Sequence, residues 1–200
     1  MTARAQGDAV PGRPMRADAR RNREQLLRAA AETFAEQGVE ASLDEIARRA
    51  GVGIGTLYRH FPSRDALIAD VYRAEVERLC GDANALLHAD PVVGGLETWM
   101  HQFVDYAATK RGMAHALRSM VGDQSELFDY SRGLMHDAVR RLVTAAVEAG
   151  QVRSDANADD LLRGLSGFCM ASEDPGWQDQ AHRLVTLLVD GLRYPVNAVR

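Results

Sequence analysis

The amino-acid sequence predicts an all-α protein in which a small N-terminal helical unit precedes a larger helical bundle. Apolar residues recur every three to four positions through most of the chain, which is the period of an amphipathic helix. Glycine and proline stand at the ends of these periodic segments, where helices stop. No segment alternates apolar and polar residues over the length of a β-strand, so we expect helices joined by short turns.

The charge of the chain is distributed unevenly. The formal net charge is −4, but residues 1–62 carry ten arginines against eight acidic residues, whereas residues 63–200 carry fourteen basic against twenty acidic residues. With 46% hydrophobic and 26% charged residues, the composition is otherwise that of an ordinary globular protein. A basic end joined to an acidic body is typical of a protein that meets a polyanion with one end.

The N-terminal segment predicts a basic arm followed by a helix. Residues 1–17 mix glycine, proline, alanine and arginine without a period, which indicates disorder. Such an arm could enter a minor groove of DNA, but a solvated tail is the simpler interpretation. The first helix is expected from Asp18 or Ala19 to Gln37, and Gly38 can adopt the left-handed backbone with which many helices end.

A pair of short helices is expected next. Ser42, followed three residues later by Glu45, matches the capping-box pattern and predicts a helix that begins at the following residue. Gly51 ends this helix, and a second helix of about two turns is expected after Gly53. Two short helices joined by a glycine turn form the helix-turn-helix arrangement, whose second helix lies in the major groove of DNA.

The second of these helices has an inner and an outer side. Leu57 and Phe61, four residues apart, are expected to face inward. The outward positions combine hydrogen-bond donors with small residues that allow close approach. The candidate DNA-contacting residues, two of them from the flanking segments, are Ser42, Ile54, Gly55, Thr56, Tyr58, Arg59, His60 and Arg64.

The segment from Arg20 to Leu67 closely resembles the DNA-binding domain of the tetracycline-repressor (TetR) family. The resemblance is carried, without a gap, by LLRAAAETFAEQG, SLDEIARRAGVGIGTLYRHF and PSRDAL. The sequence departs from the common family pattern at Gly53, where serine is frequent, and at Arg64, where lysine is frequent. Glycine still serves as an N-cap, and arginine still offers a cation to a phosphate.

The resemblance also implies partners and roles. Double-stranded DNA with a pseudo-palindromic operator, a second copy of the chain and a small-molecule effector are the expected partners. Phosphate contacts are expected from Ser42, Thr56, Tyr58, His60 and Arg64. Base contacts are expected from Ile54, Gly55 and Arg59. An isoleucine can meet a thymine methyl group, and an arginine can bond to a guanine edge.

A long helix over about 63–88 is expected after the break at Pro62-Ser63, with Ser63 as its N-cap. It would connect a DNA-binding domain, residues 18–65, with a ligand-binding and dimerisation domain, residues 66–200. Five further apolar stripes predict the helices of that second domain. A shift at the far end of the connector would therefore move the helix that reads DNA.

Methionine and aromatic residues of the second domain could line a cavity for a largely apolar effector, because their side chains adapt to varied ligands. The candidate lining residues are Trp99, Met100, Phe103, Tyr106, Met113, Leu117, Met120, Phe128, Met135 and Phe168. His101, Asp105 and His136 are candidate polar groups of the same site. An ordinary apolar core is the alternative for each of these side chains.

The last two helices combine apolar stripes with small residues, which allow close approach between helices. Two such helices can meet their symmetry mates in a four-helix bundle. The candidate dimer interface comprises Leu161, Gly164, Leu165, Phe168, Leu184, Leu188 and Gly191. An internal core is again the alternative.

Enzyme, metal and cofactor chemistry is not expected. No phosphate-binding loop, nucleophile elbow or dinucleotide motif occurs, and His101 with Asp105 lacks a third metal ligand at a suitable spacing. Cys80 and Cys169 show neither metal-ligand nor disulfide spacing, so we expect buried thiols in a reducing compartment.

The sequence predicts a cytoplasmic regulator without membrane contact. No signal peptide opens the chain and no apolar run reaches membrane-spanning length. The favoured function is a transcriptional repressor that a ligand releases from its operator. An all-helical adaptor that binds protein with the same fold is the alternative, and salt-dependent binding to a palindromic duplex would separate the two.

Overall fold

The computed structural model describes residues 13–119, 125–171 and 174–193, and every regular element in these ranges is an α-helix. The all-α prediction is therefore confirmed. The helices are α1 (Arg13–Gln37), α2 (Leu43–Arg49), α3 (Ile54–His60), α4 (Arg64–Leu86), α5 (Val92–Gly112), α6 (Ala114–Ser119), α7 (Ser125–Glu148), α8 (Ala158–Ala171) and α9 (Trp177–Arg193).

The helices α1, α2 and α3 pack into one compact unit around the fully buried side chains of Phe34, Ile46, Leu57 and Phe61. Gly51 joins α2 to α3 with a φ of 71°, a conformation that glycine adopts without steric cost. The helix-turn-helix predicted from the sequence is thus present, and its second helix begins one residue after the predicted glycine.

The start of α1 corrects the sequence prediction. Residues 13–17, assigned above to a disordered arm, belong to the first helix, while residues 1–12 lie outside the described residues. Pro14 stands in the first turn, where its missing N–H costs no helical hydrogen bond. Alanine, methionine and arginine, which follow it, are strong helix formers.

The capping box predicted at Ser42 does not form. Ser42 is the N-cap of α2 by its backbone, but its side chain makes no capping hydrogen bond. The Glu45 carboxylate instead accepts hydrogen bonds from Arg48 at 2.6 and 2.8 Å and from Arg49 at 2.9 Å. Two guanidinium groups thus take up the carboxylate that the reciprocal cap would use.

The connector helix α4 lies at the centre of the fold and packs against α1, α5 and α7. The Ser63 hydroxyl caps it by accepting a bond from the Ala66 amide at 3.1 Å, as the sequence predicts. The buried Trp99 indole of α5 donates a hydrogen bond to the Leu79 carbonyl oxygen of α4 at 3.0 Å, which links the two helices. No helix within the described ranges is both long and apolar enough to cross a membrane.

Candidate nucleic-acid interface and ligand cavity

The outer side of α3 presents the side chains that the sequence assigns to DNA. Leu57 anchors the helix inward, while Tyr58 is 51% exposed and Arg59 is also exposed. Ile54, Thr56 and His60 are half-buried at the edges of this surface. A Cβ at Gly55 would meet no atom within 4 Å, so the fold itself does not require a glycine there. The small residue leaves room for a groove edge to approach the helix.

Arg59 is held in a defined orientation on this surface. Its Nη2 donates to the Thr56 Oγ1 at 2.9 Å, one helical turn away. No carboxylate of the described residues forms an ion pair with it. The remaining guanidinium donors are therefore available to an external acceptor.

The two flanking candidates differ in what they already bind. Ser42 is exposed, and the failed capping box leaves its hydroxyl available to a phosphate. Arg64 instead donates from Nη1 to the carbonyl oxygens of Val39 and of Ala41, the latter at 2.8 Å. Arg64 therefore holds the turn that precedes α2.

The arginines of α2 are engaged within the protein. Arg49 bridges Glu45 and, at 2.8 Å, Glu36 of α1. Hydrogen bonds from Arg48 and Arg49 lower the pKa of Glu45 to about 2, so the carboxylate stays ionised at neutral pH. The Arg49–Glu36 pair fixes α2 to α1, and the three ion pairs together neutralise much of the positive charge near the surface.

A cavity of about 730 Å³ lies between α5, α6, α7 and α8 and reaches Tyr72 on α4. Five of the ten predicted lining residues stand on its wall: Phe103, Tyr106, Leu117, Phe128 and Met135. The aromatic rings of the wall contact one another through Tyr72 of α4. The centroid of the Tyr72 ring lies 5.2 Å from that of Phe128 and 6.4 Å from that of Tyr106. An apolar floor of the kind predicted for a ligand site is thus assembled from the four helices α4, α5, α6 and α7.

The other predicted lining residues lie elsewhere. Trp99, Met100 and Met113 are buried in the packed core and do not border the cavity. Phe168 is half-buried on α8, also away from the cavity wall, and Met120 lies outside the described residues. Helical spacing identified these side chains as inward-facing, but inward-facing side chains of a bundle mostly contact one another.

The sequence analysis missed the charged residues of the cavity. Five cationic side chains and two carboxylates line it, namely Lys110, Arg111, Arg118, Arg132 and Arg163 with Asp129 and Asp159. One signal was available, because Lys110 is the only lysine among the 200 residues. Apolar periodicity, by its nature, does not identify charged side chains at a cavity rim.

The candidate polar groups divide between two places. His136 lines the cavity and approaches the Asp159 carboxylate at 2.9 Å. His101 and Asp105 instead meet α9, where the Nδ1 atoms of His101 and His182 lie 2.8 Å apart and Asp105 accepts from Gln178 at 2.9 Å. Burial and the neighbouring His182 lower the pKa of His101. These groups join α5 to α9 and do not border the cavity.

Neither a metal centre nor a reactive thiol is evident. No group of three or more histidine, cysteine, aspartate or glutamate side chains in the described ranges is arranged to hold a metal ion. Cys80 and Cys169 are both buried, and burial raises the pKa of each thiol to about 11. At neutral pH both thiols are therefore protonated and poorly nucleophilic.

The outer face of α8 and α9 exposes part of the predicted dimer interface. Gly164 and Gly191 are exposed, and Phe168, Leu184 and Leu188 are half-buried at this face. Leu161 and Leu165 are removed from the predicted set, because both are buried against the protein's own core. Leu187, which is 66% exposed, was absent from the predicted interface and stands on the same face of α9.

Comparisons with known proteins agree with this geometry. Residues 26–71 match the family described as "Bacterial regulatory proteins, tetR family", and residues 93–194 match "Transcriptional regulator SbtR-like, C-terminal domain". A TetR transcriptional regulator of Streptomyces coelicolor has a solved structure that is 45% identical, with a TM-score of 0.78, over 86% of this chain and 98% of that one. A TetR regulatory protein of Mycobacterium vanbaalenii is 35% identical, with a TM-score of 0.72, over 90% and 100%.

Relatives with assigned names are also transcriptional regulators. The HTH-type transcriptional regulator EthR of Mycolicibacterium smegmatis is 29% identical over 88% of each chain. The HTH-type transcriptional activator FasR of the same organism is 30% identical over 98% of this chain and 84% of its own length. The helix-turn-helix, the helical second domain and these matches together show that the chain belongs to the TetR family of DNA-binding transcriptional regulators.

Proposed function

We propose that this regulator is a cytoplasmic homodimeric repressor that a small molecule releases from a pseudo-palindromic operator. The observation that carries the proposal is the position of α4, which borders both functional regions. Tyr72 of α4 forms part of the cavity wall, and Arg64 at the start of the same helix bonds to the turn before α2. The two residues are eight positions apart, or ~12 Å along a helix.

A second contact supports transmission through α4. The Asp70 carboxylate accepts a hydrogen bond from Arg23 of α1 at 2.8 Å, and the Arg23 guanidinium also stacks over the Phe61 ring. Movement of α4 at Tyr72 would therefore carry both α1 and the end of α3 with it. A ligand that prefers one position of α4 would shift the population of dimers toward one spacing of the two α3 helices.

On DNA, the outer side of α3 would occupy the major groove. The exposed Arg59 suits a guanine edge, Ile54 suits a thymine methyl group, and Gly55 permits close approach. Tyr58, Thr56, His60 and Ser42 would serve phosphates. Arg64 would contribute its charge to the same backbone while its hydrogen bonds remain on the turn before α2. These contacts are few, so a single copy would read only a short sequence.

Dimerisation through α8 and α9 would supply the second half-site. Support comes from the exposed Leu187 beside the glycines of this face, since a large exposed apolar side chain next to small residues favours helix packing. A two-fold dimer would place two α3 helices about one DNA turn apart, ~34 Å or a modest extension of it.

Selection of bound duplexes from random DNA, with the purified full chain, tests the proposal. A pseudo-palindromic motif whose affinity falls as salt rises would support a dimeric DNA reader. Failure to enrich any duplex at low salt would overturn it in favour of the protein-binding adaptor. One relative is described as a transcriptional activator. Transcription in vitro from a promoter that carries the selected motif therefore shows whether this protein represses or activates.

A further inference from the structure

The cavity has two chemically different parts. Its floor is apolar and aromatic, formed by the buried side chains of Tyr72, Phe103, Tyr106, Leu117 and Met135. Its rim is exposed and mostly cationic, and it comprises Lys110, Arg118, Arg132 and Arg163 with Asp129 and Asp159. A volume of about 730 Å³ is that of a site for a small organic molecule. The lining therefore matches a molecule with an apolar body and a charged end.

The rim cations lack a carboxylate partner among the described residues, whereas eleven arginines of the described ranges form ion pairs with aspartate or glutamate. Elsewhere arginines form close pairs, such as Arg23 with Asp70 at 2.8 Å and Arg78 with Glu75 at 2.8 Å. No side chain of the described residues forms a hydrogen bond or an ion pair with Lys110, Arg118, Arg132 or Arg163. The excess is local, because residues 63–200 as a whole carry more acidic than basic side chains.

Lys110 and Arg132 form the centre of this unpaired charge. The Lys110 Nζ lies 6.0 Å from the centroid of the Tyr106 ring, where the floor meets the rim. Its side chain keeps contact with solvent through the cavity mouth. Desolvation by the surrounding protein, and next the nearby charge of Arg132, lower the pKa of Lys110. An anion bound between the two cations would remove their mutual repulsion.

The floor carries one unsatisfied polar group. The Tyr106 side chain is only 2% exposed, and its hydroxyl makes no hydrogen bond of normal geometry among the described residues, although the neighbouring Tyr72 phenol contributes, after burial, to raising its pKa. Burial raises the pKa of this phenol, so the hydroxyl stays protonated and can donate. Buried polar groups in proteins are nearly always paired. An oxygen atom within the ligand body would pair it.

We propose that the cavity binds an amphipathic anion, whose carboxylate, sulfonate or phosphate lies between Lys110 and Arg132 while its apolar body contacts Tyr72 and Phe103. This inference rests on the ligand-responsive function proposed above, and it narrows the effector from a largely apolar molecule to a charged one. The apolar contacts reach α4 through Tyr72, which connects occupancy of the cavity to the helix that holds the DNA-binding unit.

Calorimetry with the full chain tests the charge requirement, using ligands that share a ten-carbon alkyl group and acetate as a short anion without it. Decanoate, decanesulfonate and decyl phosphate, below their micelle concentrations, are compared with decan-1-ol, decylammonium and acetate. At least one anion is expected to bind about ten-fold more tightly than the alcohol, since a charge-assisted bond contributes more than a neutral one. Decylammonium and acetate should bind weakest, and the best of the three anions identifies the head group.

Two substitutions locate the head group. Lys110→Met and Arg132→Gln should each weaken the best anion about ten-fold while changing decan-1-ol binding less than about two-fold. Retained alcohol binding shows that each variant still folds its cavity. Arg140→Gln, a change of the same charge on the same helix α7 but outside the cavity lining, is the matched control and should leave all affinities unchanged.

The single lysine provides an independent readout. Reductive methylation with formaldehyde and cyanoborohydride, which reduces the iminium ion, can modify only Lys110 and the α-amino group of the chain, and peptide mass mapping separates the two. The best anion should slow methylation of Lys110, acetate should not, and the α-amino rate is the internal reference.

The inference is overturned if decan-1-ol binds as tightly as every anion, if neither rim variant weakens anion binding, or if methylation of Lys110 is indifferent to ligand. Operator affinity measured with the same ligands addresses the underlying function separately. An anion that binds through Lys110 without changing operator affinity supports the assigned cavity chemistry and overturns ligand-controlled release.

Discussion

Gly112 at the end of α5 lies directly against the backbone of Phe34 in α1. A Cβ at position 112 would stand 1.9 Å from the Phe34 carbonyl oxygen, which already accepts a hydrogen bond from the Gly38 amide at 3.0 Å. No side chain separates the two helices here. Because Lys110 and Arg111 precede this contact and line the cavity, α5 touches the helix-turn-helix unit at the edge of the cavity.

Gly112→Ala should destabilise the protein, since the added methyl group forces α1 and α5 apart. Overpacking of this kind costs about 1–3 kcal/mol. Urea unfolding measures the effect. The control is Gly133→Ala in α7, where an added Cβ meets no atom within 4 Å. There the higher helix propensity of alanine should be neutral or stabilising by up to about 1 kcal/mol. Equal stability of the two variants would contradict the close contact.

Arg59→Ala should relax the preference for one base pair in each half-site, because the exposed guanidinium is the only arginine side chain on α3. The expected loss of affinity for the selected operator is about 1–3 kcal/mol. Titration of duplexes with that base pair substituted measures it, and Arg140→Ala on α7 controls for net charge. An equal loss on every sequence would instead identify Arg59 as a phosphate contact.

Leu187→Asp should convert the proposed dimer into a folded monomer, because a charge would enter the apolar face of α9. Analytical ultracentrifugation measures the association, and circular dichroism checks the fold. Tyr130→Asp is the matched control, since Tyr130 is 59% exposed on α7 and lies outside that face. If both variants remain dimers, the interface is elsewhere on the protein.

The ion pairs within α2 should weaken in acid. The pKa of Glu45 is depressed to about 2 by Arg48 and Arg49, below its ordinary value of 4.5. A carboxyl group whose pKa is lower in the folded than in the unfolded state stabilises the folded state at every pH above its ordinary pKa. This stabilisation is lost as the pH falls from 4.5 toward 2. Glu45→Gln should therefore lower the melting temperature at pH 6 and have little effect near pH 2. A difference that does not depend on pH would argue against the ion pairs.

The sequence by itself determined the helices and the outer side of α3 that is proposed to contact DNA, because both depend on local signals. Gly38 and Gly51 were predicted to end helices in the left-handed conformation, and their φ values are 78° and 71°. The inward anchors Leu57 and Phe61 follow from helical period, and with them the outward position of Tyr58 and Arg59. One local signal was misleading. The capping box predicted at Ser42 does not form, and the Glu45 carboxylate accepts hydrogen bonds from Arg48 and Arg49.

Only the tertiary structure decided which inward side chains border a cavity and which close the core. Helical period predicts that Trp99 and Phe103 both face inward. In the structure Trp99 packs against α4 and bonds to its backbone, whereas Phe103 borders the cavity. Lys110 and Arg132 are distant in sequence and meet only when α5 packs beside α7. The chemistry of the cavity is therefore set by how the helices are arranged around it, because spacing along one helix carries no information about the face of another.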